Sequence, residues 1–420
     1  MLGHTCGFPV AVIVDGYSTG RYLRSALAAR GVASVHVRSS PTIGSADPQA
    51  HSEGYEEVIQ YDGDLNRVVE SLAKYDVVCV TPGIEGVGVG LADQLARHFG
   101  VVGNDPASSE RRQNKAVMQA ALADAGVAHI PFRQVKSEAE LTRACDELGR
   151  WPLVVKPLNA GDTQDVLICE NLTQAKAALH TIIGKVNRTE QLNEAALVES
   201  FIDGDEYVVN TVSLNGEHII TDIWRYDKRV VLGSTRVCLR MKLLPPDGEV
   251  QDALASYIGP ALQALDLVNG AAHSEVFITS SGPVLGETGA RLMGGALDPS
   301  IFSEALGYPQ IEALADALVD PDLFRDHLGE RYDLLRNVEI VNFMMDRSGV
   351  IASIPGLDEI RRLPSFRDLI MAVGPGDRVS PTVDGPTCPG HVILSSPDSD
   401  QLDRDYETIR ATESSVFELA

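Results

Sequence analysis

The stretch AHSEVFITSSGPVLGETGARLMGG, residues 272–295, sets two carboxylates against each other. Residues 275–279 are apolar and β-prone, Ser280-Ser281-Gly282-Pro283 is turn chemistry, and 284–287 resume a strand. Glu275 and Glu287 lie equally far from Ser281, so a hairpin centred there puts them opposite each other. Directly opposed residues of an antiparallel pair have Cβ atoms roughly 4.5–5.5 Å apart, where like charges destabilise. A hard cation between them reverses the balance, since Mg²⁺ takes carboxylate and phosphate oxygens together. Arg291, four residues on, offers a fork of donors for a phosphoryl group or a carboxylate. The plainer alternative is a solvated hairpin with two surface glutamates; against it, Gly-Ala-Arg-Leu-Met-Gly-Gly makes a poor surface strand.

The rest of the chain bounds what such a site could serve. With 420 residues there is room for two or three domains, and 44% hydrophobic with 22% charged residues is ordinary globular composition. The 59 Asp+Glu against 35 Lys+Arg give a net charge of −24. No Lys/Arg cluster suits a nucleic-acid backbone, whereas a nucleotide needs only a few cations and a metal. The six cysteines form no CxxC pair, which disfavours zinc or a disulfide framework and suits a reducing cytosol. FPVAVIV near the start is too short and lacks a preceding basic residue for a signal peptide, and no window approaches a membrane span. The expectation is a cytoplasmic protein with no membrane partner.

Residues 1–110 alternate strand and helix, predicting an N-terminal parallel α/β domain whose loops at 16–20 and 81–90 face ligand. GYSTG is not a dinucleotide fingerprint. Ser108 or Ser109 is the expected cap of the helix ending at Gly126, and Ser137 with Glu140 has capping-box spacing. Residues 111–335 read as a second domain, with a small lobe at about 128–203. Residues 336–420 read as a C-terminal α/β cap that opens with a hairpin turning at Arg347-Ser348-Gly349.

Further charged residues fall at suggestive places. Lys156 ends the apolar strand WPLVVKP before the loop NAGDTQD, where a phosphate clamp or a mere edge charge would serve. Lys115 lies in the first turns of a helix. In ALVESFIDGDEYVV, Glu199 ends one strand and Glu206 begins the next, so the bend offers backbone groups to a planar base and a carboxylate to ribose hydroxyls. Each alone fits a solvated surface.

Taken in order, Lys115, Lys156, VESFIDGDEY, and Glu275–hairpin–Glu287 with Arg291 resemble the ATP-grasp superfamily of ADP-forming carboxylate–amine ligases. Within it the chain looks most like the L-amino-acid ligases and dapdiamide-synthetase-type enzymes, over nearly its whole length. The resemblance implies an ATP-grasp fold, with an N-terminal α/β domain, a two-lobed ATP-binding domain and a C-terminal cap. It implies that Lys115 and Lys156 contact the ATP phosphates, that Glu199, Phe201 and Ile202 hold the adenine, and that Glu206 holds the ribose. Glu275 and Glu287 would bind Mg²⁺ (or Mn²⁺), and Arg291 with Lys156 would stabilise the transferred phosphoryl group. Lys228 and Arg229 in DIWRYDKR, His273, Gly294 and Gly295 would meet substrate. Gly289 stands where many members carry a metal-ligating Asn, and the loop NAGDTQD is poorer in glycine than usual.

The implied chemistry joins an amino-acid-like carboxylate to an amine through an acyl phosphate, as in the synthesis of dipeptides or dipeptide-like natural products. The partners are small molecules, and a homodimer is one admissible assembly. The alternatives are an ATP-grasp ligase of purine or carboxylase type, or a nucleotide-binding protein that has lost ligase activity.

Overall fold

Strand β1 (Pro9–Val14) is buried at every residue after Pro9, as an interior strand covered on both faces should be. With β2 (Ala33–Arg38), β3 (Glu57–Gln60) and β4 (Asp76–Pro82) it forms a parallel sheet of order β3-β2-β1-β4, with α1 (Leu23–Ala29) between β1 and β2, α2 (Leu65–Leu72) between β3 and β4, and α3 (Val87–Phe99) after β4. The computed structural model describes residues 8–41, 53–161, 163–187, 190–231 and 235–420. Strand order reverses between β1 and β4, so the loops that follow them open onto one crevice. Those loops touch backbone to backbone: a Cβ on Gly20 would come within 2.5 Å of the Gly83 carbonyl oxygen.

Helix α4 (Lys115–Asp124) leads into the small lobe. Its cap is Asn114, whose side chain accepts from the amides of Ala116 and Val117. The expected caps Ser108 and Ser109 lie in a preceding 3₁₀ turn and donate to Asp266 and Asp93 instead. The lobe is an antiparallel sheet of order β5-β8-β6-β7, from β5 (Phe132–Val135), β6 (Leu153–Pro157), β7 (Leu167–Cys169) and β8 (Ala196–Ser200). Helices α5 (Glu138–Leu148) and α6 (Leu172–Ile182) cover it, and Leu141, Val155 and Leu179 fill the core between. Ser137 caps α5 as expected, its hydroxyl accepting from the Glu140 amide.

The large sheet has the order β13-β12-β9-β10-β11-β14-β18-β16. It is built from β9 (Asp205–Leu214), β10 (Glu217–Val231), β11 (Thr235–Leu243), β12 (Gly270–Thr279), β13 (Gly282–Gly289), β14 (Asn337–Asn342), β16 (Phe366–Met371) and β18 (Gly390–Ser396). Helix α7 (Glu249–Ala264) packs beside β13, and α8 (Pro299–Leu306), α9 (Gln310–Val319) and α10 (Pro321–Arg325) follow the hairpin. Residues 336–420 therefore continue this sheet. The expected hairpin at Arg347 does not form, because β14 pairs with β11 and β18 while β15 (Gly349–Ser353) pairs with β17 (Arg378–Val379) and β19 (Glu418–Leu419). The Arg347 guanidinium donates to the carbonyls of Ser414 and Phe417, drawing the link towards α12 (Ser399–Val416) instead. Helix α11 (Leu357–Ile360) completes this segment.

The β12–β13 hairpin pairs Glu275 with Glu287, but by a different route from symmetry about Ser281. Thr279 pairs with Gly282, so the turn is the two-residue loop Ser280-Ser281, and a regular ladder would set Glu275 against Gly286. A bulge between Glu275 and Val276 pairs Val276 with Leu285 and leaves Gly286 as the extra residue. A Cβ at Gly286 would lie 2.7 Å from the Phe277 ring, so the bulge needs a glycine there.

The 3₁₀ turn between α3 and α4 is tied down by Arg112, fully buried, whose Nη2 lies 2.7 Å from Asp93 Oδ2. Its Nη1 donates to the carbonyls of Leu265 and Asp266 at 3.2 and 2.8 Å, joining α3 to the end of α7. Removing one partner of such a pair leaves a buried charge uncompensated, at a cost of about 3–5 kcal/mol. Arg112→Met should lower the unfolding free energy by that amount, read as a reduced urea midpoint at unchanged slope; a change below about 1 kcal/mol would refute this account.

Candidate active site

Side chains two apart on a strand share a face, so the large sheet sorts its residues into transverse rows. One row runs Asp222 on β10, Asn210 on β9, His273 on β12 and Gly289 on β13. The next runs Trp224, Val208, Glu275 and Glu287. Tyr226, Glu206 and Phe277 follow, with Lys228 two residues further along β10. Above this face lies a cavity of about 1050 Å³, closed by the small lobe on one side and by the N-terminal loops and the C-terminal segment on others.

Lys115, Lys156, Glu199, Phe201, Ile202, Glu206, Lys228, His273, Glu275, Glu287, Arg291, Gly294 and Gly295 all line that cavity. Arg229 does not: the strand alternation that turns Lys228 inward turns Arg229 to the exposed side. The cations and anions alternate in contact. Lys115 Nζ is 2.8 Å from Glu287 and 2.5 Å from the Ala160 carbonyl. Lys156 is 2.6 Å from Glu199, and Lys228 is 2.5 Å from Glu206. Lys228 thus belongs beside the candidate ribose acceptor. Burial opposes the charge on Lys156, but Glu199, Glu287 and Glu275 outweigh it and hold its pKa above the ordinary lysine value.

Glu275 carries the opposite imbalance. Burial, relieved in part by Lys228 and reinforced by Glu206 and Glu287, pushes its pKa up to about 8. A carboxyl so reluctant to ionise, facing a second carboxylate, is a donor set short of positive charge. Among the described residues no group of three or more metal-ligating side chains gathers. The Glu275/Glu287 pair therefore fits a hard cation that draws its remaining ligands from phosphate and water oxygens. Nucleotide fits too: buried Glu199 Oε2 has no hydrogen-bond partner, an acceptor left over at the end lined by Phe201 and Ile202.

At the other end the structure supplies a residue that the sequence left unread. Glu85, in the loop after β4, receives Arg291 Nε and Nη2 at 3.1 and 2.9 Å on one oxygen. That oxygen lies 2.9 Å from where a Cβ on Gly289 would be, and the other oxygen sits against Gly161 of the phosphate loop. Glu85 thus occupies the space that a side chain at 289 would need. The only signal for it was the position of its loop at the end of a parallel strand. In the phosphate loop, Asp165 turns away to Lys185 at 3.3 Å, and Asp162 lies outside the described residues. Ser18 accepts from the amides of Gly295 and Ala296, Thr19 from that of Leu297, and His391 meets the Gly295 carbonyl at 3.1 Å. The loop carrying Gly294 and Gly295 is therefore shaped from both ends of the chain. His273 is buried, its pKa held well below the usual histidine value by that burial and by the charges of Arg291 and Lys228. No helix among the described residues is long and apolar enough to cross a membrane.

Known proteins match this arrangement along the whole chain. The ATP-grasp domain family model matches residues 149–299, and that of the L-amino acid ligase C-terminal domain 2 matches 342–412. Dapdiamide A synthase of Enterobacter agglomerans is 32% identical over 415 residues, covering 98% of this chain and 97% of that protein. The L-arginine-specific L-amino acid ligase of Bacillus subtilis is 24% identical over 208 residues, about half of each chain at 49% and 50%. The crystal structure of L-amino acid ligase from Bacillus licheniformis superposes with a TM-score of 0.78 at 18% identity, covering 100% of this chain and 99% of that one. N5-carboxyaminoimidazole synthetase from Staphylococcus aureus complexed with ADP shares the fold, with a TM-score of 0.71 at 17% identity over 97% of this chain and 98% of that chain. The chain belongs to the ATP-grasp L-amino acid ligase family and is an ATP-dependent carboxylate–amine ligase.

Proposed function

We propose that this ligase joins an α-amino acid or a close analogue, as the acid, to the amine of a second small molecule, giving a dipeptide-like amide. The contact between Glu85 and Arg291 carries this reading. An anion and a cation side by side match the ammonium and carboxylate of a zwitterion, which would exchange one ion pair for two. The cavity of about 1050 Å³ is large enough for two small substrates beside a nucleotide.

The nucleotide end is assigned to Glu199, Phe201 and Ile202 for the base, to Glu206 for ribose hydroxyls, and to Lys115 and Lys156 for phosphates. All three cleft lysines already sit on carboxylates, so a triphosphate would take over cations held at the right places. Glu275 and Glu287 would hold a divalent cation, Mg²⁺ or Mn²⁺, which when bound offsets charge on the phosphoryl oxygens. A carboxylate oxygen of the acid bonds to the γ-phosphorus, the bridging bond to ADP breaks, and an acyl phosphate results. Arg291 and Lys156 are the candidate partners of the transferred group. The nitrogen of the second substrate then bonds to the acyl carbon as the carbon–oxygen bond to phosphate breaks, and the proton that the nitrogen loses leaves with the departing phosphate. Lys115 N bonds to Leu158 O at 3.0 Å, and Glu190 of the small lobe hydrogen-bonds Ser40 of the N-terminal domain; these contacts support a cleft that keeps water from the acyl phosphate.

The decisive experiment is a screen of amino-acid pairs for ADP release, with mass detection of the amide and hydroxylamine present in parallel. Accepted acids should yield hydroxamates, and an enzyme that releases ADP without amide or hydroxamate would sink the proposal. Glu287→Gln should retain the fold by circular dichroism yet lose at least about 10²-fold in ADP formation. Wild-type turnover in that variant would remove the metal assignment. Glu85→Gln should raise KM for the acid about tenfold, the equivalent of roughly 1.4 kcal/mol, and leave KM for ATP unchanged. An effect confined to ATP would place Glu85 elsewhere in the chemistry.

A further inference from the structure

Behind the candidate site lies a buried polar row whose members have one consistent hydrogen-bonding assignment. Asp222, Asn210 and His273 are 4%, 1% and 7% exposed and occupy adjacent strands at one register position. Asp222 Oδ1 accepts from Trp224 Nε1 at 2.5 Å, and an indole nitrogen can only donate. With the carboxyl ionised, Oδ1 only accepts. The Asn210 atom 2.5 Å from it must be the amide nitrogen, whose other hydrogen points towards Met293 Sδ at 3.3 Å. This fixes the amide orientation, which an isolated asparagine would leave ambiguous.

Asn210 Oδ1 then faces His273 Nδ1 at 2.9 Å, and since an amide oxygen only accepts, Nδ1 carries the hydrogen. In the neutral ring that leaves Nε2 as an acceptor on the cavity side, where the Tyr226 hydroxyl meets it in a long hydrogen bond of 3.5 Å that a ligand N–H could share or replace. Across the sheet His273 pairs with Gly289, so no side chain on β13 covers it, and the Glu85–Arg291 pair borders the same opening. Nothing in the phosphoryl-transfer apparatus requires an acceptor here. A nitrogen nucleophile does, because an N–H···N bond orients its lone pair away from the histidine and towards the acyl carbon beyond.

We propose that Asp222 and Asn210 are positioning residues that lock His273 as its Nδ1–H tautomer, and that His273 Nε2 accepts a hydrogen bond from the attacking amine of the second substrate. The role rests on the carboxylate–amine reading above and divides the reaction: His273 serves the amide-forming half, and Glu85 with Arg291 serves the acid.

The test separates the two halves. In rapid-quench single turnovers with ATP and an accepted acid but no amine, His273→Leu should give the wild-type rate of ADP formation. In steady state its kcat/KM for the amine should fall about tenfold or more while KM for the acid stays within about twofold. His273→Gln, whose amide oxygen reaches the Nε2 position, should recover part of that loss. Independently of turnover, ¹⁵N NMR of histidine-labelled protein should show a protonated Nδ1 and a bare Nε2 for the signal that His273→Leu removes. In Asn210→Leu that signal should shift towards a tautomer mixture; should that variant not fold, the two His273 variants and the wild-type spectrum decide alone. Equal loss in both half-reactions, an effect on the acid instead of the amine, or an Nε2–H tautomer in the wild type would overturn the proposal. If the wild type makes no amide from any pair, the carboxylate–amine reading fails, whereas the tautomer measurement still judges the positioning row.

Discussion

The register between β12 and β13 is the constraint on which the rest depends. Slipping one strand by a single residue turns every side chain on it to the other face. Glu287 would then leave the cleft, Lys115 would lose its partner, and Glu275 would keep company only with Glu206 and Lys228. The bulge at Gly286 sets this register, and it does so at the cost of bringing two carboxylates together. That cost is met locally by Lys115 on one acid and the nearby Lys228 charge on the other. Like charges on a sheet are tolerable when their counterions are built into neighbouring strands.

The same reasoning explains how an acidic protein keeps a polyanion site. Net charge is a long-range property, screened within about 8–10 Å at physiological salt, whereas the cleft's field is set by charges in contact. Each buried lysine there has its own carboxylate, so neither partner is left alone in a poorly solvated place. Such pairs contribute little to stability, but they hold cations in fixed positions without repelling one another. A triphosphate with its cation brings both signs at once and can exchange partners with the pairs.

Local chemistry was legible in the sequence, and long-range placement was not. The glutamate hairpin, Lys156 at the end of its strand, and the bend after Glu199 are each specified within a few residues, and the ordered set led to the fold. The hairpin was reached despite a mistaken centre, since a bulge leaves no mark beyond a glycine. Arg229 falls on the exposed side because alternation along β10 decides which of two adjacent cations faces the cleft, and a stretch with two cations in a row does not show its own phase. Ser108 and Ser109 were misread as caps because their partners, Asp266 and Asp93, belong to other elements. Glu85 was invisible for the same reason: a lone acid in a glycine-rich loop acquires meaning only when Arg291 arrives from some two hundred residues away.

That last contact also bears on how one fold can host different ligases. The candidate nucleotide end draws its residues from α4, the small lobe and the large sheet. The substrate end is bordered by material from outside them: Ser18, Thr19 and Glu85 from the N-terminal loops, and His391 from β18. Proteins with the same architecture at 14–18% identity include phosphoribosylglycinamide synthetase and N5-carboxyaminoimidazole ribonucleotide synthetase, so the fold does not dictate the acid or the amine. A loop at the end of a parallel strand can change length and sequence without disturbing the sheet beneath it. The glutamate hairpin cannot, because its register supports both the charged row and the Asp222–Asn210–His273 row beside it. Selection for a new substrate would therefore act first on the loops around Ser18 and Glu85 and on the segment near His391, and last on the strands.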